Sequence, residues 1–300
     1  MAGAAEIDME NSFLQNVIIT ARPKQWIKNL LVAAALFFHP EILNFFNGTR
    51  IIAAFIAFCM VSSGVYSLND IFDKETDRKH PEKCFRPVAS GELSVVAAFI
   101  AGAIFLAIGL GIGLMLGSDT ALILGMYLAL NIAYSAYLKH VVIIDALLVS
   151  FGFVLRVIGG AEVINAPVSF WIVLCTVLAT LFLTFSKRRH ELEIISNAAE
   201  HRQSLAEYDP YFLDQMIAVV TAGTIISYAL WTRDPETISK FGTRSLDLTI
   251  PFVFYGIFRY LYIVHRKKLG GDPTKVFLTD TALIINMVLW AISLVLIIHF

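Results

Sequence analysis

The densest chemistry in the chain is the run Asn69-Asp70-Ile71-Phe72-Asp73-Lys74-Glu75-Thr76-Asp77. At about 100° per residue, a helix puts Asp70 and Asp77 nearly in line and Asp73 about 60° away. Asn69 and Asp73 form an i, i+4 pair. Three carboxylates and an amide therefore share one helix face. Carboxylates that close repel one another, and a divalent cation removes the conflict. Oxygen donors without His or Cys favour Mg²⁺, which commonly takes substrate phosphates as its remaining ligands.

The acids are followed at once by Arg78, Lys79, Lys83 and Arg86. Cations beside a metal suit an anion with several phosphate charges. Arg86, fixed before Pro87, is the strongest of them. A second mixed cluster opens at Ser186-Lys187-Arg188-Arg189-His190-Glu191-Leu192-Glu193. It ends at His201-Arg202 and at Glu207-Tyr208-Asp209-Pro210-Tyr211-Phe212-Leu213-Asp214. Lys187 and Glu191 are i, i+4. Asp214 is the best carboxylate of this segment for a second metal or a substrate hydroxyl. Tyr134 and Lys139 belong to a smaller segment, Tyr134-Ser135-Ala136-Tyr137-Leu138-Lys139. Asp145 and Arg156 fall inside an apolar run, where ionisable groups are functional by default. Eleven residues apart, they can share a helix face without touching. Near the N-terminus, Arg22, Gln25, Lys28 and Asn29 bring donors suited to a phosphate, beside a Trp26 anchor.

These segments need elements to hold them, and the composition says which kind. The chain is 57% hydrophobic and 16% charged, with a net charge of −1. That excludes an ordinary soluble globule and gives no sign of a nucleic-acid binder; it points to a polytopic membrane protein in a lipid bilayer. Apolar runs near 29–46, 51–69, 94–116, 120–138, 141–161, 168–186, 212–231, 249–265 and 281–299 predict nine transmembrane helices. A cytoplasmic N-terminus puts 17 of the 23 lysines and arginines inside and 4 outside, a strong positive-inside signal. Residues 1–20 are then a cytoplasmic tail without a signal peptide, and 21–300 a single membrane domain. Cys59, Cys84 and Cys175 form no CxxC pair and imply no disulfide framework. Residues 70–92 hold 11 charged groups and 187–214 hold 10. Both clusters fall on the inferred cytoplasmic face.

Nine spans with charged cytoplasmic segments after the second and sixth resemble the UbiA superfamily of intramembrane prenyltransferases. The resemblance rests on Asn69-Asp70-x-x-Asp73-x-x-x-Asp77, Arg86-Pro87-x-x-Ser90-Gly91 and Tyr134-Ser135-x-x-Leu138-Lys139. Arg22-Pro23-x-Gln25-Trp26-x-Lys28-Asn29, Phe153-x-Leu155-Arg156-x-x-x-Gly160-Ala161 and Lys187-Arg188-Arg189-x-Glu191-Leu192 are similar to its decaprenyl-phosphate phosphoribosyltransferase branch. A second DxxxD-type motif, usual in the aromatic prenyltransferases, is missing; the nearest spacing is Asp209 to Asp214 across Pro210.

The resemblance implies an all-α UbiA-type bundle in a bacterial inner membrane, its cavity facing the cytoplasm. It implies transfer of 5-phosphoribose from phosphoribosyl pyrophosphate to a polyprenyl phosphate, with Mg²⁺ as cofactor and pyrophosphate released. The product would feed cell-envelope glycan synthesis, with a downstream epimerase as an implied partner. The alternative is prenyl transfer from an allylic diphosphate. In the implied site, Asn69, Asp70, Asp73 and Asp77 are catalytic, and Asn69, Asp73 and Asp77 hold the metal. Lys28, Lys83, Arg86 and Lys139 neutralise pyrophosphate. Lys187, Arg188, Arg202, Tyr208 and Asp214 hold the ribose 5-phosphate and hydroxyls, and Tyr134, Arg156 and Glu191 complete the substrate contacts.

Overall fold

The computed structural model describes residues 2–38, 44–194, 207–267 and 273–299, and every described element is helical. Among the described residues, eight helices are long and apolar enough to cross a membrane. They cover eight of the nine apolar runs. The first run, 29–46, takes another form: a 3₁₀ helix Pro23–Ala33 passes into a short α2, Ala34–Phe38. Residues 39–43 of that run lie outside the described residues. The chain divides into two compact units, Met1–Lys139 with Leu155–Pro167, and His140–Val154 with Val168–Phe300.

In the first unit, α1 (Ala2–Ala21) gives the expected tail a helical form that packs on α3 (Phe45–Phe72). Asn44 caps α3 by accepting the Asn47 N–H at 2.9 Å, which satisfies one orphan donor of the first turn. α3 packs mainly against α6 (Val95–Leu116), and α7 (Ser118–Ala136) packs on both. The glycines of α6 permit that closeness, because a Cβ at Gly109 would lie 2.8 Å from the Ala57 carbonyl oxygen. Small residues where backbones meet are the usual device for helix packing in lipid. The core joins Val32, Ala54, Phe58, Val61, Leu124, Tyr127 and Ala161.

The 3₁₀ helix is unusual in its 11 residues, since such helices seldom exceed one turn. Tertiary contacts hold it. Trp26 Nε1 donates to Ser63 Oγ at 3.1 Å, and Asn29 Nδ2 to Cys59 Sγ at 3.2 Å. Gly160 lies so close to the Val32 carbonyl that any Cβ there would collide with it. Arg22, just before the helix, has φ 52° and ψ 58°, a left-handed conformation uncommon outside glycine.

In the second unit, α9 (Phe170–Ile194) packs on α10 (Pro210–Arg233). Asp209 caps α10 through the Phe212 N–H at 2.9 Å, with Pro210 in the first turn. This is the favoured pairing of a capping acid and a proline that has no N–H to lose. Pro210 therefore starts a helix here. A short α11 (Pro235–Phe241) leads to α12 (Ile250–Tyr262), α13 (Pro273–Thr279) and α14 (Thr281–His299). Phe182, Phe185, Leu213, Ile217 and Tyr260 form the core. Within the apolar span, Arg259 forks onto Asp280 at 3.1 and 2.9 Å, which neutralises both charges. α8 (Ile144–Glu162) supplies Ile144–Val154 to this unit and its remainder to the first.

Candidate active site

The carboxylate run is not one unbroken helix. α3 ends at Phe72, and Asp73 takes φ −92°, ψ 3°, in the bridge region, before α4 (Lys74–Arg78). Its N–H still bonds the Asn69 carbonyl at 2.9 Å, so the turn carries on through the break. Asp70 and Asp77 are buried, and Asp73 is the accessible acid of the three.

Each carboxylate has a cation. Arg86 Nη1 donates to Asp77 at 2.5 Å and reaches Asp70 at 3.3 Å. Asp70 also accepts from Arg22, whose guanidinium lies 5.0 Å from the centre of the Tyr66 ring. Lys139 donates to Asp73, and Ser135 to the Asn69 amide oxygen. Arg86 is placed by the Lys83–Phe85 turn and by α5 (Pro87–Ser90), which Pro87 starts and Gly91 ends at φ 91°. Lys83 is half-buried in that turn, and Tyr134 is half-buried at the end of α7. Two positive and two negative groups thus interleave at Arg22, Asp70, Arg86 and Asp77, and Asp73 with Lys139 stands apart from them.

The donor chemistry fits a Mg²⁺ ion shared with a ligand's phosphates better than a prebuilt ion cage. Among the described residues, no group of three or more His, Cys, Asp or Glu converges as a metal site would need. Mg²⁺ requires only one or two carboxylates when phosphates and water complete its shell. Asp73, with Asp77 and the Asn69 oxygen, could serve; Asp70 is already committed to two guanidiniums.

Arg156 lies deeper in the first unit. Its Nε donates to Asn29 Oδ1 at 2.6 Å, and its Nη2 to the Tyr127 hydroxyl at 2.7 Å, with the ring 4.7 Å away. It is buried and ties the 3₁₀ helix to α7 and α8.

In the second unit, Asp145 is fully buried at the start of α8 and Arg188 is almost so. Arg188 Nε donates to Asp145 at 3.1 Å and Nη1 to Glu191 at 3.2 Å. Lys187 reaches Glu191 at 3.8 Å, as its i, i+4 spacing predicts. The Tyr208 hydroxyl donates to Asp145 at 2.9 Å and accepts the Ile143 N–H at 2.8 Å. Ile143 has φ 68°, a costly conformation for a β-branched residue, and this bond helps to fix it. Burial, then the Asp145 carboxylate, push the Tyr208 phenol up from its ordinary range, so it remains a donor. Asp214 accepts from Arg189 at 3.0 Å and has His265 at 3.7 Å. Arg202 lies outside the described residues.

Asp145 and Arg22 gain most from the structure. Asp145 joins Arg188 and Tyr208, and its position inside an apolar run is the signal that marks it. Arg22 reaches Asp70 only because the chain turns left-handed before Pro23, which sequence spacing does not show.

Known proteins agree with this architecture. The model of the UbiA prenyltransferase family matches residues 30–279. The chain is 34% identical to the decaprenyl-phosphate phosphoribosyltransferase of Corynebacterium glutamicum, over 94% of this chain and 86% of that protein. It is 29% identical to the enzyme of the same name from Mycolicibacterium smegmatis, over 93% and 91%. A UbiA homologue from Archaeoglobus fulgidus, solved with GPP and Mg²⁺, superposes with a TM-score of 0.72 at 18% identity, covering 95% of this chain and 100% of that one. The protein is a transferase with membrane-spanning helices, and it belongs to the UbiA prenyltransferase family.

Proposed function

We propose that the protein moves 5-phosphoribose from phosphoribosyl pyrophosphate to a polyprenyl phosphate such as decaprenyl phosphate. The observation that carries this is the second unit's charged cluster. There Arg188 is held by Asp145 and Glu191, where a prenyl-diphosphate site would show a second aspartate-rich pair. A fixed guanidinium suits a phosphate ester. Relatives that bear the name of this activity over most of their length support the same reading.

The chemistry follows from the residues. The C1–O bond of the ribose to pyrophosphate breaks, and the bonding pair leaves with pyrophosphate. An oxygen of the lipid phosphate forms the new bond to C1. That oxygen is already anionic, so no strong general base is needed. Arg22, Lys83, Arg86 and Lys139 neutralise charge growing on the leaving group. Bound Mg²⁺ would supply further charge neutralisation at that pyrophosphate, held by Asp73, Asp77 and Asn69. Asp70 positions Arg22 and Arg86. Lys187, Arg188, Tyr208 and Asp214 hold the 5-phosphate and hydroxyls, Glu191 sets the two cations beside it, and Tyr134 and Arg202 add contacts. The site faces the cytoplasm of a bacterial inner membrane, and the product enters envelope glycan synthesis.

The test uses purified protein, Mg²⁺, decaprenyl phosphate and ribose-labelled phosphoribosyl pyrophosphate. Label should pass into the organic phase with one pyrophosphate released per turnover. Label that stays aqueous overturns the proposal.

A further inference from the structure

Trp26, Asn29 and Val32 recur every third residue, and each meets the wall of the first unit: Ser63, then Cys59 with Arg156, then Gly160. A 3₁₀ helix has three residues per turn, so positions i and i+3 eclipse. The same period puts Gln25 and Lys28 on a neighbouring ridge, which begins just after the left-handed Arg22. The Gln25 N–H bonds the Arg22 carbonyl at 2.8 Å, which closes the first such turn. All three residues are half-buried.

The ridge also has a direction. Arg22 meets Asp70, at the end of α3. Trp26 meets Ser63 and Asn29 meets Cys59 on the same helix. Those partners lie about 10 and 16 Å along α3 from Asp70, at 1.5 Å per residue. Lys28 is therefore a cation carried inward from the carboxylate cluster, between the residues that meet Ser63 and Cys59. The Gln25 amide makes no side-chain hydrogen bond among the described residues.

The geometry points to Gln25 and Lys28 as the seat of the acceptor's phosphate. The inference rests on the reaction proposed above. That substitution needs two anions, one on each side of C1, with the attacking oxygen drawn to within about 3–3.5 Å of the carbon. Arg22 and the Asp70 cluster sit at the donor end of the ridge. One 3₁₀ turn advances about 6 Å, so Gln25 and Lys28 present the next donors along the same line. A water-soluble donor enters from the charged end, whereas a lipid phosphate with its tail in the bilayer reaches the inner end. The ridge thus separates leaving group from nucleophile, and Lys28 moves from the pyrophosphate to the acceptor.

Three variants of the full chain test this: Lys28→Met, Lys28→Arg and Gln25→Leu. Loss of one charged hydrogen-bond donor should raise KM for decaprenyl phosphate about ten- to a hundredfold in Lys28→Met. KM for phosphoribosyl pyrophosphate should stay within about twofold on the same reasoning, because its contacts are untouched. Lys28→Arg should recover most of the loss. Gln25→Leu, which removes no charge, should raise the acceptor KM less and serves if Lys28→Met fails to fold. Without donor, labelled decaprenyl phosphate should bind wild type and bind Lys28→Met weakly, while decaprenol binds both alike. Unchanged decaprenyl phosphate binding, or a shift in the donor KM alone, overturns the inference. If wild type transfers no phosphoribose yet binds decaprenyl phosphate through Lys28, the proposed reaction fails and this site stands.

Discussion

Arg86 donates to Asp77 at 2.5 Å, and the same Nη1 stands 3.3 Å from Asp70. One guanidinium therefore closes the gap between two buried carboxylates seven residues apart, on either side of the break at Asp73. Arg22 neutralises Asp70 from the other side. The cluster is held together by alternating charge, and this sets what each residue can do.

Replacing Arg86 with Met should strip Asp77 of its partner. Removing one member of a buried pair costs about 3–5 kcal/mol. The thermal midpoint should fall clearly and transfer should be lost. Arg86→Lys should not restore transfer, because the lysine ammonium sits one bond nearer the backbone than the Nη1 that reaches both Asp77 and Asp70. Full recovery by Lys, in midpoint and turnover, would contradict the bridging role.

Asp73→Ala should abolish Mg²⁺-dependent transfer and leave the thermal midpoint close to wild type. Asp73 is the accessible acid, and its partner Lys139 is itself half-buried near the surface, where ion pairs contribute about 0–1 kcal/mol. Activity retained at ordinary Mg²⁺ would remove Asp73 from the site.

Mg²⁺ alone should bind weakly in a calorimetric titration, since no group of three acids converges among the described residues. Added pyrophosphate should tighten it by at least about tenfold, because phosphate oxygens complete the shell. Tight binding of Mg²⁺ without phosphate would show a prebuilt cage.

Asp145→Leu should take a fully buried carboxylate from Arg188 and free Tyr208 from its acceptor, lowering stability by about 3–5 kcal/mol. Tyr208→Phe should cost about 1–2 kcal/mol, as the Ile143 N–H loses its acceptor. A denaturant series on each variant measures both, and a larger effect for Tyr208→Phe would reverse the order of importance.

Much of the candidate site's geometry was legible because spacing and type survive folding. Asn69, Asp73, Asp77 and Arg86 could be named from the sequence, and the Lys187–Glu191 pair follows from helical periodicity. Eight of the nine apolar runs likewise coincide, among the described residues, with helices long and apolar enough to cross a membrane. Other features depend on backbone geometry that residue types do not encode. The run at 29–46 reads as a transmembrane helix by hydropathy, yet Gly160 and Arg156 hold its beginning in a 3₁₀ form. The face expected from 69 to 77 ignores the break at Asp73. Asp145 and Arg156 stand out as charges inside an apolar run, but their partners, Arg188 with Tyr208 and Asn29 with Tyr127, lie far off in sequence. No local pattern predicts those pairs.

The proposed reaction turns on its donor, a ribose 5-phosphate activated by pyrophosphate. The direct measurement offers purified protein and Mg²⁺ two labelled donors in parallel: phosphoribosyl pyrophosphate with decaprenyl phosphate, and geranyl diphosphate with aromatic or lipid-alcohol acceptors. Label should pass from the first only, and Asp73→Ala should abolish that transfer. Transfer of the geranyl group, with none of phosphoribose, would contradict it and make the protein a prenyltransferase in the strict sense.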